Sequence, residues 1–381
     1  MLMVCAAQQN RHSRSLTRRP WRADDDRRRD VNRRHRMNDL KATTRRNTAS
    51  HLGGSSRRAF VGSAAGWLAG AMGSAALPSW ASDSGSQPIR VVVPFAAGGS
   101  TDALARLFAL HLGKHLKAVT LVENAPGASG TLGVQKVMRA PADGRTLLLG
   151  ITGSQLIAPA LLPTATYTSE KDFIPIGRIA QTGVLVLANG QFAGSTVADM
   201  VAESKKSKVP LAYGTWGSGS GGHLVMESVR QHTGMALDQV PYKGEAPVMQ
   251  AMLGGELAWG TAAASMALLQ HVQSGKIKGL GISGGKRWSR LPEVKTFEEQ
   301  GIPQVPASWF GVFVTKGTAP SVVQRLRQAF DAVYVDPQVH QSLRSLGLDP
   351  DPISTAAFTE QIRREADIWR TLVVSSGAKA V

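Results

Sequence analysis

Four strand-to-helix junctions in this chain carry residue types suited to holding an anion. The first is Pro94-Phe95-Ala96-Ala97-Gly98-Gly99-Ser100-Thr101-Asp102. Its glycines let a ligand approach the backbone. Its place at a predicted helix N-terminus aims unpaired N–H groups and the positive dipole end outward, which favours carboxylate or phosphate. The plainer alternative is a glycine turn with Ser or Thr as helix cap. The second junction, Gly150-Ile151-Thr152-Gly153-Ser154-Gln155, repeats hydroxyls and glycines after a strand. The third is Tyr213-Gly214-Thr215-Trp216-Gly217-Ser218-Gly219-Ser220-Gly221-Gly222-His223-Leu224. Backbone amides with Ser218, Ser220 and His223 would make a carboxylate cradle there, and His223 is equally a capping or packing histidine. The fourth, Val240-Pro241-Tyr242-Lys243-Gly244-Glu245-Ala246-Pro247, puts Tyr242 and Lys243 at a strand end. They can line a pocket, though Lys243 also reads as a solvated lysine.

Other chemistries compete for the same residues. Gly217, Gly219 and Gly222 spell G-x-G-x-x-G between a predicted strand and helix, with Asp238 downstream, as a dinucleotide site would. The motif lies deep in the chain, and its loop is richer in hydroxyls than a pyrophosphate turn needs. Gly281-Ile282-Ser283-Gly284-Gly285 matches the G-x-S-x-G nucleophile elbow. That elbow requires a helix directly after the serine, and Lys286-Arg287-Trp288-Ser289-Arg290-Leu291-Pro292 comes next instead. Acids for proton transfer are scarce in the pocket loops: Asp102, Glu123 and Glu245 have no distinctive spacing. No metal motif is present, and the single cysteine, Cys5, excludes internal disulfides and the usual zinc sites. No cofactor is expected.

The elements that must position these loops alternate. Ile89–Phe95 is a short apolar run of the buried parallel-strand type, and Ala103, Leu104, Leu107, Phe108, Leu110 and Leu112 mark the helix after it. Further strands are expected at 119–122, 146–151, 174–180, 184–188, 211–214, 238–242, 257–261, 277–282 and 310–315. Helices are expected at 130–139, 196–206, 220–232, 245–253, 264–274, 320–334 and 354–374. This alternation argues an α/β fold with mostly parallel sheets. A second strand–helix series between about 184 and 307 predicts a second lobe inserted in the first. The expected organisation is a first lobe over 82–185, a second over 186–307 and a return to the first over 308–381, with a hinge at the crossovers.

The chain has 381 residues and a formal net charge of +17. Residues 1–36 hold eleven Arg against four Asp, and residues 37–81 add another +4, leaving +6 for the last 300 residues. That balance argues against nucleic acid as a partner. Residues 1–36 read as a basic extension, or Met37 is the true start. Ser56-Arg57-Arg58-Ala59-Phe60-Val61 resembles a twin-arginine export motif. The Gly/Ala-rich stretch after it ends in Pro78-Ser79-Trp80-Ala81, so cleavage is expected after Ala81, followed by periplasmic residence.

In order and spacing the motifs resemble the substrate-binding receptors of tripartite tricarboxylate transporters, the Bug or TctC-type family. The matching stretches are Ile89–Asp102, Val122-Glu123-Asn124-Ala125-Pro126-Gly127-Ala128-Ser129-Gly130, Ala142–Leu148, Tyr213–Leu224, Val240–Pro247, Leu253-Gly254-Gly255, Trp309-Phe310-Gly311 and Gly317-Thr318-Ala319-Pro320. The resemblance implies a two-lobed Venus-flytrap protein, monomeric, not an enzyme, that closes on a small carboxylate and presents it to membrane permease subunits. By position it implies ligand contacts from Phe95, Ala96, Ala97, Gly98, Gly99, Ser100 and Thr101, from Thr152 and Ser154, from Thr215, Trp216, Gly217, Ser218, Gly219, Ser220 and His223, and from Tyr242 and Lys243. This chain departs from the family pattern at Ala258 and Ala262, where acids are common. Loss of an acid at Ala262 points to a non-amino carboxylate. Ala96-Ala97 stand where prolines are frequent, and Trp216 is bulky in a loop of small residues, narrowing the cleft or offering a face to a ring-bearing acid. A dinucleotide-dependent oxidoreductase and a ligand sensor for a membrane kinase are the alternatives.

Overall fold

Runs of Val, Leu and Ile, mostly buried, build strands such as Ile89–Val93, Thr146–Ile151 and Val184–Asn189. The computed structural model describes residues 87–303 and 305–379. The basic extension, export signal and cleavage site expected over 1–81 lie outside them. In the first sheet β1 (Ile89–Val93) is flanked by β2 (Thr120–Asn124) and β3 (Thr146–Ile151), with β4 (Phe173–Thr182) on the far edge. The second sheet holds β5 (Val184–Asn189), β6 (Leu211–Thr215), β7 (Leu237–Pro241), β8 (Trp259–Ala263) and β9 (Ile277–Ile282). The last strand, β10 (Ser308–Thr315), returns to the first sheet. The orders are β2-β1-β3-β10-β4 and β7-β6-β8-β5-β9, so the strand entering each sheet from the other sits fourth in both.

Each sheet is mostly parallel, with one reversed strand. β10 runs antiparallel to β3 and β4, and β5 antiparallel to β8 and β9. These are the two strands that carry the chain between lobes. The first crossover is tight, because β4 ends at Thr182 and β5 begins at Val184. There Ser283 Oγ accepts the Val184 amide at 2.9 Å, and the Ala264 amide donates to Gly183 O.

Helices cover both faces of the sheets. On the first, α1 (Ser100–Leu116) buries Leu104, Phe108, Leu112 and Leu116, four residues apart, and stops at Lys117 in the left-handed region. α2 (Thr131–Met138) follows β2, and α3 (Ala158–Leu161) follows β3 through a π turn at Gly153–Ile157. α4 (Ser169–Asp172) leads into β4. On the second sheet α5 (Val197–Lys206) opens on a capping box made by Thr196 and Asp199. α6 (Gly221–Thr233), α7 (Glu245–Leu253) and α8 (Met266–Gln273) follow β6, β7 and β8. The C-terminal part adds α9 (Pro320–Tyr334), α10 (Pro337–Ser345) and the long α11 (Thr355–Ser376). Helix α11 packs on β4 and also on α6 of the other lobe. It brings Phe358 and Trp369, both fully buried, against one core cluster that takes residues from both sheets. The helix at 337–345 and the helical turns between 153 and 161 are additions to the expected set.

Candidate functional site

The chain leaves β6 through Thr215 and enters a loop held in shape by buried polar contacts. Thr215 is fully buried, and its Oγ1 accepts from Gln239 Nε2 at 2.7 Å and from the Gly217 amide at 3.4 Å. His223 Nδ1 accepts the Gly219 amide at 3.0 Å, and burial pushes this imidazole's pKa down, which keeps the acceptor nitrogen unprotonated. Ser220 caps α6 by accepting the His223 amide at 3.3 Å. These contacts consume the hydroxyl of Thr215 and the Nδ1 of His223. They leave the amides of Ser218, Gly221 and Gly222 without an acceptor among the described residues. Free N–H groups at the head of a thirteen-residue helix form an electropositive edge.

Trp216 lies across that edge. A Cβ on Gly222 would overlap Trp216 Cζ3 and Thr261 Oγ1, so only glycine lets the indole rest on the first turn of α6. Gly219 sits at φ +69°, and a Cβ there would strike Leu161, which belongs to the first lobe. The two lobes therefore meet at backbone of one and side chain of the other.

Between them is a cavity of about 570 Å³. The second lobe contributes Trp216, Gly217, Ser218, Gly219, Ser220 and Gly221. The first lobe contributes Phe95, Ala128 and Ser129, Ile151 and Gly153, and Ile157, Ala158, Leu161 and Leu162. None of the lining residues carries a charge. Ala128 and Ser129 hold φ of 45° and 54°, two consecutive left-handed residues without being glycine, a strain that clusters at ligand sites.

The structure thus gathers part of the expected set and turns part of it elsewhere. Ser218, Ser220, Trp216 and the loop glycines line the cavity, with Phe95 from the first loop. Ala96, Ala97, Gly98, Gly99 and Ser100 are exposed beside it, and Thr101 is half-buried. Their loop is pinned by Asp102, whose carboxylate accepts from Arg106 Nε, the Gly98 amide and Asn124 Nδ2, each at 3.0 Å. Arg106 first, then Gly98, holds this carboxyl down to about 2. Thr152 and Ser154 are fully buried and face inward: Thr152 Oγ1 accepts the Trp309 amide at 2.8 Å, and Ser154 Oγ bonds back to Ile151. Gly153 between them is the residue that reaches the cavity. Tyr242 is half-buried against the second lobe's core, and Lys243 is exposed.

Ala262 requires a correction. It is 1% exposed and its methyl packs in the core with Leu185, Val248 and Leu268, under α7 and α8 and away from the cavity. Its identity carries no information about a ligand ammonium. The lining residues outside the expected contacts are Ala128, Ser129, Ile151, Gly153, Ile157, Ala158, Leu161, Leu162 and Gly221. The small-residue run Gly127–Gly130 was a signal for the first pair; the aliphatic ones read like core.

Beside Ala262, Glu245 accepts the Ala263 amide at 3.1 Å. Burial pushes its carboxyl up to about 7 from 4.5. The folded protein prefers the protonated form. That stabilisation is complete below about 4.5 and is lost as pH rises through 7. Glu245→Gln is expected to raise the melting temperature at pH 8 and to flatten the decline between those limits. A shift of that size corresponds to ~3 kcal/mol at most. Thermal melts of both proteins across this range check it; parallel pH profiles would contradict it.

Two alternatives meet obstacles in the fold. Asp238 opens β7 opposite Ala212, the far end of β6 from the glycine loop. A ribose-binding acid would sit at the other end, beside the loop. Ser283 is 1% exposed, bonded to the Val184 amide and followed by no helix, so it is no nucleophile elbow.

Known proteins resemble this chain over most of its described length. The tripartite tricarboxylate transporter family receptor, TctC, matches residues 104–377. Protein BugT of Bordetella pertussis is 31% identical over 299 residues, 77% of this chain and 90% of BugT. A Cupriavidus necator protein of the UPF0065 group is 36% identical over 314 residues, covering 79% of this chain and 93% of that protein. Among solved structures, a TctC solute-binding protein from Polaromonas superposes with a TM-score of 0.68 at 30% identity, over 76% of this chain and 98% of the other. A Rhodopseudomonas palustris protein solved with adipate gives 0.67 at 29%, over 78% and 99%. MatC of that organism, with bound malate, gives 0.64 at 29%, over 75% and 98%.

Proposed function

The chain belongs to the tripartite tricarboxylate transporter receptor family, and from that premise we propose that it captures a small carboxylate between its lobes and delivers it to the membrane subunits of a tripartite transporter. The observation that carries this reading is the Gly217–Gly221 loop, whose free amides and serine hydroxyls border an uncharged interlobe cavity. Amides aimed at a carboxylate stabilise it without a cation. The protein works as a periplasmic monomer, exported by its twin-arginine segment and cut after Ala81. Its lobes, built on the sheet of β1–β4 with β10 and on the sheet of β5–β9, close about the crossover at Gly183, two residues before the expected boundary, and the one leading into β10. It performs no chemistry on its cargo and needs no cofactor. Its relatives in Rhodopseudomonas palustris hold malate and adipate, two dicarboxylates, which supports the class of ligand.

In this reading the serine hydroxyls contribute directly. Ser218→Ala and Ser220→Ala are each expected to weaken carboxylate binding by about 0.5–1.5 kcal/mol, up to roughly tenfold. Titration calorimetry of both variants checks this. Unchanged affinity in both would remove the second lobe's loop from the site. A kinase-coupled sensor would share this pocket, and co-purification with permease subunits separates the two roles.

A further inference from the structure

The two walls of the cavity differ in kind. The second lobe presents glycine backbone and serine hydroxyls. The first is mostly apolar, with Phe95, Ile151, Ile157, Leu161 and Leu162, and Ser129 is its one side-chain hydroxyl. Trp216 adds an indole that is half-buried and has no hydrogen-bond partner among the described residues. On the second lobe Lys243 is exposed, one residue beyond the Tyr242 carbonyl that borders Gly217, and adds positive charge on the loop's side.

A ligand spanning this space meets donors at one end and hydrocarbon at the other. A second carboxylate driven against the Ile157 and Leu161 side chains would lose its water with no cation and only the Ser129 hydroxyl nearby to replace it, which disfavours it. A methyl or ring in the same place is stabilised by the area it removes from water. An ammonium group fares no better, because no acid lines the cavity.

We infer that the cavity selects a carboxylate with one anionic end and an apolar body, the anion on the Gly217–Gly221 loop and the body between Trp216 and the Ile157–Leu161 wall. This rests on the receptor reading and goes beyond it, since the malate- and adipate-binding relatives take acids with charge at both ends. Trp216 and Leu161 are then the specificity-determining side chains.

The test is a matched pair. Hexanoate and adipate share a six-carbon chain and differ in whether the far end is methyl or carboxylate. Both are titrated by calorimetry into full-length protein stripped of co-purified ligand, with benzoate, malate and glutamate alongside. Hexanoate or benzoate is expected to bind at least tenfold more tightly than adipate, malate and glutamate. Leu161→Asn is expected to weaken hexanoate at least fivefold while leaving adipate unchanged or improved, and Trp216→Ala to weaken benzoate at least tenfold. Tighter binding of adipate or malate than of hexanoate and benzoate overturns this specificity while leaving the receptor reading intact. Binding of none of the five overturns this specificity too, and binding of no carboxylate in a wider panel that includes tricarboxylates overturns the receptor reading with it.

Discussion

Gly221→Asp is expected to abolish carboxylate binding while leaving the fold as stable as before, or slightly more so. Gly221 is the first residue of α6 and lines the cavity. A Cβ there would meet Trp216 Cζ2 at 3.6 Å, Ser308 Oγ at 3.8 Å and Val184 Cγ2 at 3.9 Å, all ordinary contacts. The new carboxylate would occupy the place of the ligand's own. An acid in the first turn of a helix contributes about 0.3–1 kcal/mol through the dipole, so the melting temperature should hold or rise. Two carboxylates about 4 Å apart at an effective dielectric near 20 repel by roughly 4 kcal/mol, about a thousandfold in affinity. Gly221→Asn, of equal size and no charge, should cost far less. Equal losses in both variants, or retained affinity in the acid, would place the anion elsewhere.

Arg178→Met is expected to lower the melting temperature by roughly 5 °C. Arg178 is 5% exposed and reaches Asp351 Oδ2 at 2.7 Å, the Asp351 carbonyl at 2.9 Å, Gln361 Oε1 at 2.7 Å and Gln181 Oε1 at 3.1 Å. Through Asp351 it meets Lys286, which follows β9 in the other sheet. The neighbouring residues lash the lobes further, with Trp288 Nε1 donating to Gly347 O at 2.8 Å and Ser289 Oγ to Asp349 at 2.6 Å. Breaking a buried pair by removing one partner costs about 3–5 kcal/mol, because the other charge is stranded. Asp351 is part-exposed, which favours the lower figure. At roughly 1.5–2 °C per kcal/mol for a fold of about 300 residues, that gives the stated fall. The double variant Arg178→Met with Asp351→Leu should recover most of it, since the one charge that then loses its partner is the exposed Lys286. A double variant as unstable as the single one would show that the lost stability lies in packing rather than in the ion pair.

The fold is largely legible in the residues, and what is not has identifiable causes. Strands such as Ile89–Val93 and Val184–Asn189 announce themselves as short apolar runs, and their alternation with helices implies two α/β layers. A run of buried apolar residues does not encode direction, so the reversal of β5 and β10 emerges only from the pairing. Helix Pro337–Ser345 carries a start signal, Asp336 capping Gln338 and proline in the first turn, but its short polar stretch hides the two residues it buries, Val339 and Leu343.

The site divides the same way. Glycine and hydroxyl content marks the right loops. Residue type does not tell which way a hydroxyl points, and Thr152, Ser154 and Thr215 turn theirs into the protein to shape the backbone that faces the cavity. The aliphatic wall from Ile157 to Leu162 is indistinguishable in sequence from core, and only its position opposite Gly219 makes it part of a cleft.

The measurement that bears most directly on carboxylate capture is a thermal-shift screen of the stripped protein against mono-, di- and tricarboxylates, amino acids and dinucleotides, run beside the Gly221→Asp variant. At about 100 times its dissociation constant a bound ligand stabilises the fold by roughly 2.7 kcal/mol, a shift of several degrees. Such a shift is expected with at least one carboxylate, together with its loss in Gly221→Asp. A protein whose melting no carboxylate moves, or that responds to dinucleotides alone, would contradict the receptor role.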